Sequence, residues 1–171
     1  MDSDGYLSQL ADIFNGITVN TPSISAIIAI ALAGVLLLAS GFASASEIAF
    51  FSLSPSDRND IDERNHPSDD KISALLGDTE RLLATILITN NFVNVTIIML
   101  CNFFFMNVFV FHSPLAEFLI LTVILTFLLL LFGEIMPKIY SAQKTLAFCR
   151  FSAPGIYFLE KVFRPIATVL V

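Results

Sequence analysis

Charged residues are absent from three long stretches of this chain. Asp, Glu, Lys and Arg make up 14% of its 171 residues, hydrophobic residues make up 56%, and the mean hydropathy is +0.79. In ordinary soluble domains about 25% of residues are charged. The uncharged stretches cover residues 21–46, 82–111 and 118–133. They exclude an ordinary soluble domain and indicate an integral membrane protein.

Polar and apolar residues do not alternate in these stretches, as they would in the strands of a membrane β-barrel. Because a spanning segment must satisfy its own backbone hydrogen bonds, helices are the remaining solution. The sequence therefore predicts an all-α integral membrane protein with three transmembrane helices. The third stretch is short for a span unless Glu117 or Glu134 lies at a membrane interface.

Lysine and arginine are absent from the first 57 residues and from residues 82–137. The N-terminal segment thus lacks the basic region of a cleaved signal peptide, and the first stretch is predicted to remain as a span. By the positive-inside rule, residues 1–22 are extracytoplasmic and residues 23–137 form the transmembrane domain. The same rule makes cytoplasmic both an insert at about 52–81 and the C-terminal residues 138–171.

Cysteine and histidine are scarce, with two of each. Cys101 and Cys149 are predicted near different membrane faces, so we expect no disulfide between them. The sequence contains no nucleophile–base pair, phosphate-binding glycine loop or Cys/His metal cluster. We therefore expect no enzymatic activity, and we expect no nucleic acid partner.

The cytoplasmic insert carries signals for two short helices. Ser54 followed by Pro55 is typical of a helix start, and residues 66–70 break this helix before a second one begins. The insert has eight acidic residues against four basic ones. This pattern is most simply a solvated face, and an acidic regulatory surface is the alternative.

After residue 137, basic residues are spaced among large apolar ones, which predicts juxtamembrane helices lying at the membrane interface. Breaks in these juxtamembrane helices are predicted at Pro154-Gly155 and at Pro165. The chain ends in an apolar run at residues 166–171 without a polar tail. We expect a further cytoplasmic domain to follow it.

A carboxylate and a helix breaker occur together at the end of the third stretch, where Glu134 lies between Gly133 and Pro137. An ionisable residue within a span usually faces a bundle interior or a watery cavity. Proline has no N–H and displaces the carbonyl four residues earlier, which here belongs to Gly133. These two oxygens would suit Mg²⁺, Na⁺ or Ca²⁺. The alternative is that Glu134 lies at the inner interface and pairs with Lys138.

Polar side chains in the first two spans would complete such a site. Ser40 and Ser44 are four residues apart and share a helix face, and Asn90, Asn91 and Asn94 fall within an arc of about 100°. Serine in a membrane helix often serves only helix packing, and this is the simpler interpretation of each serine alone. Three amides on one apolar helix favour a site, because an amide without a partner in lipid is costly.

Three motifs follow one another along the spans: Ser44-Ala45-Ser46-Glu47, then Leu82-Leu83-Ala84-Thr85 leading to Asn90-Asn91-Phe92-Val93-Asn94, then Gly133-Glu134 followed by Pro137-Lys138. In order and spacing they resemble the transmembrane domain of the CorC/CNNM magnesium-transport family. The resemblance covers nearly the whole chain from about residue 24 onward. The Phe-rich spans are most similar to the bacterial branch that is associated with gliding motility.

The resemblance implies a homodimer in the bacterial inner membrane, with its N-terminus outside and its C-terminus in the cytoplasm. It implies an inward-facing Mg²⁺ site made by Ser40, Ser44, Asn90, Asn91, Asn94, Gly133 and Glu134. Export of Mg²⁺ coupled to Na⁺ entry is also implied. Family members continue into a pair of ATP-binding CBS modules and a CorC-type domain. Neither lies within these 171 residues, so ATP is expected to act only through a CBS domain outside them.

Three functions stay open at this point. The first is the membrane domain of a Mg²⁺ transporter, in which one carboxylate among neutral oxygens binds the ion weakly enough to release it. The second is a membrane scaffold or accessory subunit of a secretion or motility machine, without transport activity. The third is an ion channel. A scaffold should tolerate Glu134→Gln and Asn91→Ala, whereas a transporter should lose flux.

Overall fold

The computed structural model describes residues 18–110 and 114–170. Most of the predicted extracytoplasmic segment, residues 1–17, lies outside the described residues. The described chain is helical apart from two short strands, β1 (Thr18–Val19) and β2 (Phe109–Val110). The helices in chain order are α1 (Ile24–Phe51), α2 (Pro55–Asp62), α3 (Asp69–Leu76), α4 (Thr79–Val108), α5 (Pro114–Leu128), a π-helical segment (Leu129–Ile135), α6 (Met136–Gln143) and α7 (Thr145–Leu170).

Three helices are long and apolar enough to cross a membrane, which confirms the predicted number of spans. They are Ile24–Phe51, Thr79–Val108 and Glu117–Gln143. The third is longer than the predicted 118–133, because the chain stays helical through the π-helical segment and into α6. The antiparallel pair β1–β2 joins the start of the first span to the end of the second.

Helix α1 packs against α4 in the centre of the bundle through small residues. Ala26, Ala33 and Gly41 are buried, whereas Ile24 and Leu38 expose 79% and 76% of their surface. Small residues let helix backbones approach closely, and large apolar side chains on the outside suit contact with lipid. The bundle core around this contact consists of Ala33, Val93, Ile97, Cys101 and Leu125.

A second core, the juxtamembrane core, lies where the spans meet the insert and α7. The insert folds as α2 and α3, as predicted. Ser54 caps α2: its hydroxyl accepts from the N–H of Asp57, whose carboxylate accepts from the N–H of Ser54. The buried members of this core are Ala49, Phe50, Leu53, Ile61, Ile72, Leu75, Leu82, Ile86, Cys149, Ala153 and Ile156.

A buried ion pair attaches the insert to α7. The guanidinium of Arg150 donates from Nε to Asp69 Oδ1 at 2.8 Å and from Nη2 to Asp69 Oδ2 at 3.0 Å. Asp69 is fully buried and also accepts from the N–H of His66 at 3.0 Å. Burial by itself raises the pKa of Asp69, but the hydrogen bonds from Arg150 and His66 outweigh it, so the pKa lies below its ordinary value.

The predicted breaks in the C-terminal segment are wrong. α7 is one helix from Thr145 to Leu170, with Pro154 and Pro165 inside it. A proline in a helix interior costs about 3 kcal/mol, yet one face of α7 buries Cys149, Ala153 and Ile156 in the juxtamembrane core. Pro154 lies on the exposed side. The packing of the opposite face therefore keeps the helix continuous.

Candidate ion site in the helix bundle

Ser40 on α1 lies between two amides of α4. Its Oγ is 2.8 Å from Asn90 Oδ1 and 2.7 Å from Asn94 Oδ1. A hydroxyl carries one hydrogen and can donate to only one of these oxygens at a time. Polar side chains of two spans therefore converge within hydrogen-bond distance at a buried serine, and a hard cation could bind oxygens of this kind.

The third span reaches the same point through a glycine. A Cβ on Gly133 would lie 3.1 Å from Ser40 Oγ and 3.5 Å from Leu37 Cδ1, so any larger residue would displace the serine. Gly133 is buried in the π-helical segment. The three predicted spans therefore meet at Ser40, which contacts α4 through its hydroxyl and the third span through the Gly133 backbone.

A second close approach between α1 and the third span lies at Gly41. A Cβ there would lie 3.0 Å from Pro137 Cγ and 3.4 Å from the Phe132 carbonyl oxygen. Ser40 and Gly41 thus accommodate the π-helical segment and the start of α6 on adjacent positions of α1. Small residues of α1 were predicted to serve helix packing. They also set the position of the polar cluster formed by Ser40, Asn90 and Asn94.

The π-helical segment changes which carbonyl Pro137 releases. The N–H of Met136 donates to the carbonyl of Leu131, five residues earlier. The next bond in this register would join the Phe132 carbonyl to the nitrogen of Pro137, which has no hydrogen. The sequence-based count of four residues selected Gly133, whereas the five-residue register selects Phe132. Single π turns of this kind occur often at functional sites.

Glu134 follows Gly133 and is half-buried. Its carboxylate makes no hydrogen bond or ion pair with the residues that the structure describes. The alternative partner, Lys138, instead forms an ion pair with Glu47 of α1, with 2.9 Å between Nζ and Oε2. Glu134 therefore has no partner among the described residues, and it directly follows the glycine that lies against Ser40.

The remaining predicted residues lie apart from this contact. Asn91 is exposed on α4 and forms no hydrogen bond with Ser40. Ser44 is fully buried one turn further along α1, and its Oγ has no hydrogen-bond partner in the described ranges. The same holds for Thr85 Oγ1 on α4, which the sequence argument did not select. A hydroxyl within an apolar span was the signal that could have identified Thr85.

Two further polar contacts hold the spans together near the site, and the sequence argument missed both. Ser141 on α6 is buried and donates to the carbonyl of Ala45 at 2.6 Å. The Glu47–Lys138 ion pair joins the same two spans. The signal for this pair was two opposite charges at the ends of two neighbouring spans. Together these contacts fix α6 beside α1 and so hold Gly133 against Ser40.

The candidate site consists mainly of neutral oxygen donors. Within residues 18–110 and 114–170, no group of three or more His, Cys, Asp or Glu side chains could hold a metal ion. The groups that converge are the Ser40 hydroxyl and two amides, with the Gly133 backbone against the hydroxyl and the carboxylate of Glu134 on the next residue. Hard cations such as Mg²⁺, Na⁺ and Ca²⁺ prefer such oxygens, whereas Zn²⁺ usually takes Cys or His.

Comparison with known proteins agrees with this architecture. The family model described as cyclin M transmembrane N-terminal domain matches residues 30–171. A UPF0053 protein of Haemophilus influenzae is 29% identical over 136 residues, which is 80% of this chain and 31% of that protein. A UPF0053 protein of Synechocystis sp. is 26% identical over 136 residues, or 80% of this chain and 38% of that protein. The chain thus spans about a third of the length of these relatives.

Proposed function

Because the chain belongs to the cyclin M transmembrane domain family, which its match over residues 30–171 establishes, we propose that it is the membrane domain of a Mg²⁺ transporter. The observation that carries this proposal is the position of Ser40 Oγ, 2.8 and 2.7 Å from two amide oxygens and against the backbone of Gly133. Residues from all three spans thereby meet at one buried serine.

Mg²⁺ is the cargo in this proposal. It requires near-octahedral oxygens at about 2.0–2.1 Å and gives up water reluctantly. Ser40, Asn90 and Asn94 supply three oxygens, a backbone carbonyl of the π-helical segment supplies a fourth, and Glu134 supplies the formal charge. A single negative charge keeps the affinity for a divalent ion low enough for release. Ser44 and Thr85, whose hydroxyls lack partners in the described chain, would offer further oxygens on the path of the ion.

The finer features of the proposal follow the family. We propose a homodimer in the bacterial inner membrane, with the insert and α7 in the cytoplasm, that exports Mg²⁺ with Na⁺ as the coupling ion. Three helices cannot by themselves enclose a cavity shielded from lipid, and a second protomer would cover part of the exposed surface. Mass photometry in detergent should give the dimer mass, and a monomer at micromolar concentration would contradict this part.

Calorimetry on the purified protein tests the site. We expect Asn94→Ala and Glu134→Ala each to weaken Mg²⁺ binding by about tenfold or more, since each removes an oxygen ligand. Asn102→Ala is the matched control, because Asn102 is exposed and lies on the same helix about two turns beyond Asn94. Equal Mg²⁺ affinity in the three variants would disprove the assignment of the site.

A scaffold or accessory subunit of a secretion or motility machine is the alternative, and it would suit a member of the gliding motility-associated branch. Glu134→Gln separates the two functions, because it keeps the shape of the side chain and removes its charge. A transporter should lose Mg²⁺ flux into or out of loaded vesicles. A scaffold has no flux to lose and should assemble with its partners normally.

A further inference from the structure

A basic cavity lies at the junction of the insert, the second span and α7, away from the candidate ion site. Its volume is about 270 Å³, and it is lined by Ala74, Arg81, Tyr157, Glu160, Lys161 and Arg164. Three of these side chains are cations and one is a carboxylate. The cavity therefore favours an anion, and nothing in ion transport through the bundle makes use of it.

The cavity lies at the level where the second span leaves the membrane. Arg81 is in the first turn of α4, the helix that forms this span. On α7, Ile156 is buried against the bundle end while Phe151 and Phe158 expose 71% and 65% of their surface. An amphipathic helix with exposed aromatic and basic residues lies in the membrane interface. The cavity therefore opens at the depth of lipid headgroups.

Arg81 has a donor that the described protein does not satisfy. Its Nη1 pairs with Asp78 Oδ2 at 3.2 Å. Its Nε is buried and has no hydrogen-bond partner among the described residues. A buried donor without an acceptor is costly and uncommon. Nε is enclosed by protein atoms, but 26% of the Arg81 side chain is exposed, and Arg81 lines the cavity. A bound anion would therefore contact the exposed part of this cationic side chain.

We propose that this cavity binds a phosphate group, either in the headgroup of an anionic phospholipid or as free phosphate. The planar guanidinium of Arg81 suits phosphate oxygens. Lys161 is exposed at the cavity and adds a mobile positive charge. Basic pockets between helices at the membrane surface bind phosphate-bearing headgroups through the same chemistry.

The test compares melting temperatures of the protein in three kinds of nanodisc preparation: pure phosphatidylcholine, phosphatidylcholine with phosphatidylglycerol, and pure phosphatidylcholine with added inorganic phosphate. A ligand that binds the folded protein raises its melting temperature. We expect phosphatidylglycerol, inorganic phosphate or both to stabilise the natural protein. A gain with phosphatidylglycerol alone identifies a lipid headgroup, and a gain with inorganic phosphate identifies free phosphate as a ligand.

Three variants decide whether the gain comes from this cavity. Lys161→Gln removes an exposed cation that lines it and should reduce the gain by half or more. Lys144→Gln removes an equally exposed cation at the end of α6, outside this cavity, and should keep the full gain. Glu160→Gln removes the one carboxylate among the lining residues that the structure describes and should increase the gain. The proposal fails if no ligand stabilises the natural protein, or if Lys161→Gln and Lys144→Gln behave alike.

Discussion

Large apolar side chains fill the juxtamembrane core, whereas small residues make the closest helix contacts in the bundle. Phe50, Ile61 and Ile72 are each at most 2% exposed in the juxtamembrane core. In the bundle, Ala33 and Gly41 are buried while side chains such as Ile28 face outward. Water drives the first arrangement, because burying apolar surface is favourable only relative to water. Lipid is as apolar as leucine, so close backbone packing and polar contacts hold the second.

The same contrast applies to polar groups. In the juxtamembrane core, Asp69 has two donors from Arg150 and one from His66, so its charge is fully compensated. In the bundle, Ser40 faces two acceptors, and Ser44 and Thr85 have no partner in the described chain. A structural polar group is satisfied by the protein itself. Ser40, Ser44 and Thr85 thus have oxygens that the described protein does not fully engage, and a cation could bind such oxygens.

The largest expected difference between the two regions is in the response to Ile→Ala. Ile72→Ala removes a fully buried side chain from the juxtamembrane core and should lower the free energy of unfolding by about 2–5 kcal/mol. Ile28 exposes 61% of its surface on α1, so Ile28→Ala should change it little. Denaturant titration of both variants in detergent measures the difference. A similar loss in both would mean that α1 is packed like the juxtamembrane core.

Breaking the Asp69–Arg150 pair should have the next largest effect. Asp69→Asn leaves Arg150 without its counter-charge and should lower the free energy of unfolding by about 1.5–3 kcal/mol. Asp70→Asn is the control, because the Asp70–Arg64 pair is 74% and 70% exposed in its side chains and surface pairs contribute little. If the two neighbours behaved alike, Asp69 would not be the attachment point of the insert.

The same pair predicts a dependence on pH. Because the folded-state pKa of Asp69 lies below its ordinary value of 3.8, its contribution to stability is fully present above 3.8 and is lost as the pH falls through the lowered value. The stability difference between the natural protein and Asp69→Asn, measured against pH, should therefore shrink as the pH falls below 3.8.

Two glycines of α1 differ in how closely the neighbouring helices approach them, and alanine substitutions test this difference. A Cβ on Gly41 would lie 3.0 Å from Pro137 Cγ, whereas nothing lies within 4 Å of a Cβ on Gly34. Gly41→Ala should destabilise the protein by about 1–3 kcal/mol through overpacking. Gly34→Ala should be neutral or stabilising by up to about 1 kcal/mol, because alanine favours a helix. Thermal unfolding of both variants checks this, and a stable Gly41→Ala protein would show that the α1–α6 contact is loose.

The smallest effect on stability is expected from Pro137→Ala, and its main effect should be on the ion. The substitution restores an N–H that can satisfy the Phe132 carbonyl and withdraw this oxygen from a cation. The Mg²⁺-induced rise in melting temperature should therefore be smaller than in the natural protein. Pro154→Ala, at an exposed proline of α7, is the control and should keep the full rise. An unchanged rise in Pro137→Ala would show that Pro137 serves packing alone.

Much of the architecture could be predicted from the sequence. The three spans follow from uncharged length, and the start of α2 follows from the Ser54 cap. The sequence also selected Ser40, Asn90, Asn94 and Gly133, which the structure brings together at one point. Their role as Mg²⁺ ligands remains a prediction. Helical spacing was sufficient here because each of these residues is placed on its face by its own helix.

Contacts between distant segments could not be predicted in this way. Lys138 has Glu134 one turn away on its own helix, but it pairs with Glu47 on another span. Pro154 is a helix breaker by local rules, but the buried face of α7 keeps that helix continuous. Asn91 lies next to Asn90 in the sequence, but it faces outward. The partner of Lys138, the continuity of α7 and the exposure of Asn91 each depend on which helix packs against the residue. The local spacing of residues in the sequence does not identify that helix.

The sequence by itself determined the number of spans, the insert and the types of donor atom available to an ion, because these depend on hydropathy, local capping and side-chain chemistry. Tertiary structure alone decided which carbonyl Pro137 releases. The third span adopts a five-residue register where it packs against Gly41, so the carbonyl opposite the nitrogen of Pro137 belongs to Phe132. A backbone register is set by packing between helices over distances that the local sequence does not encode.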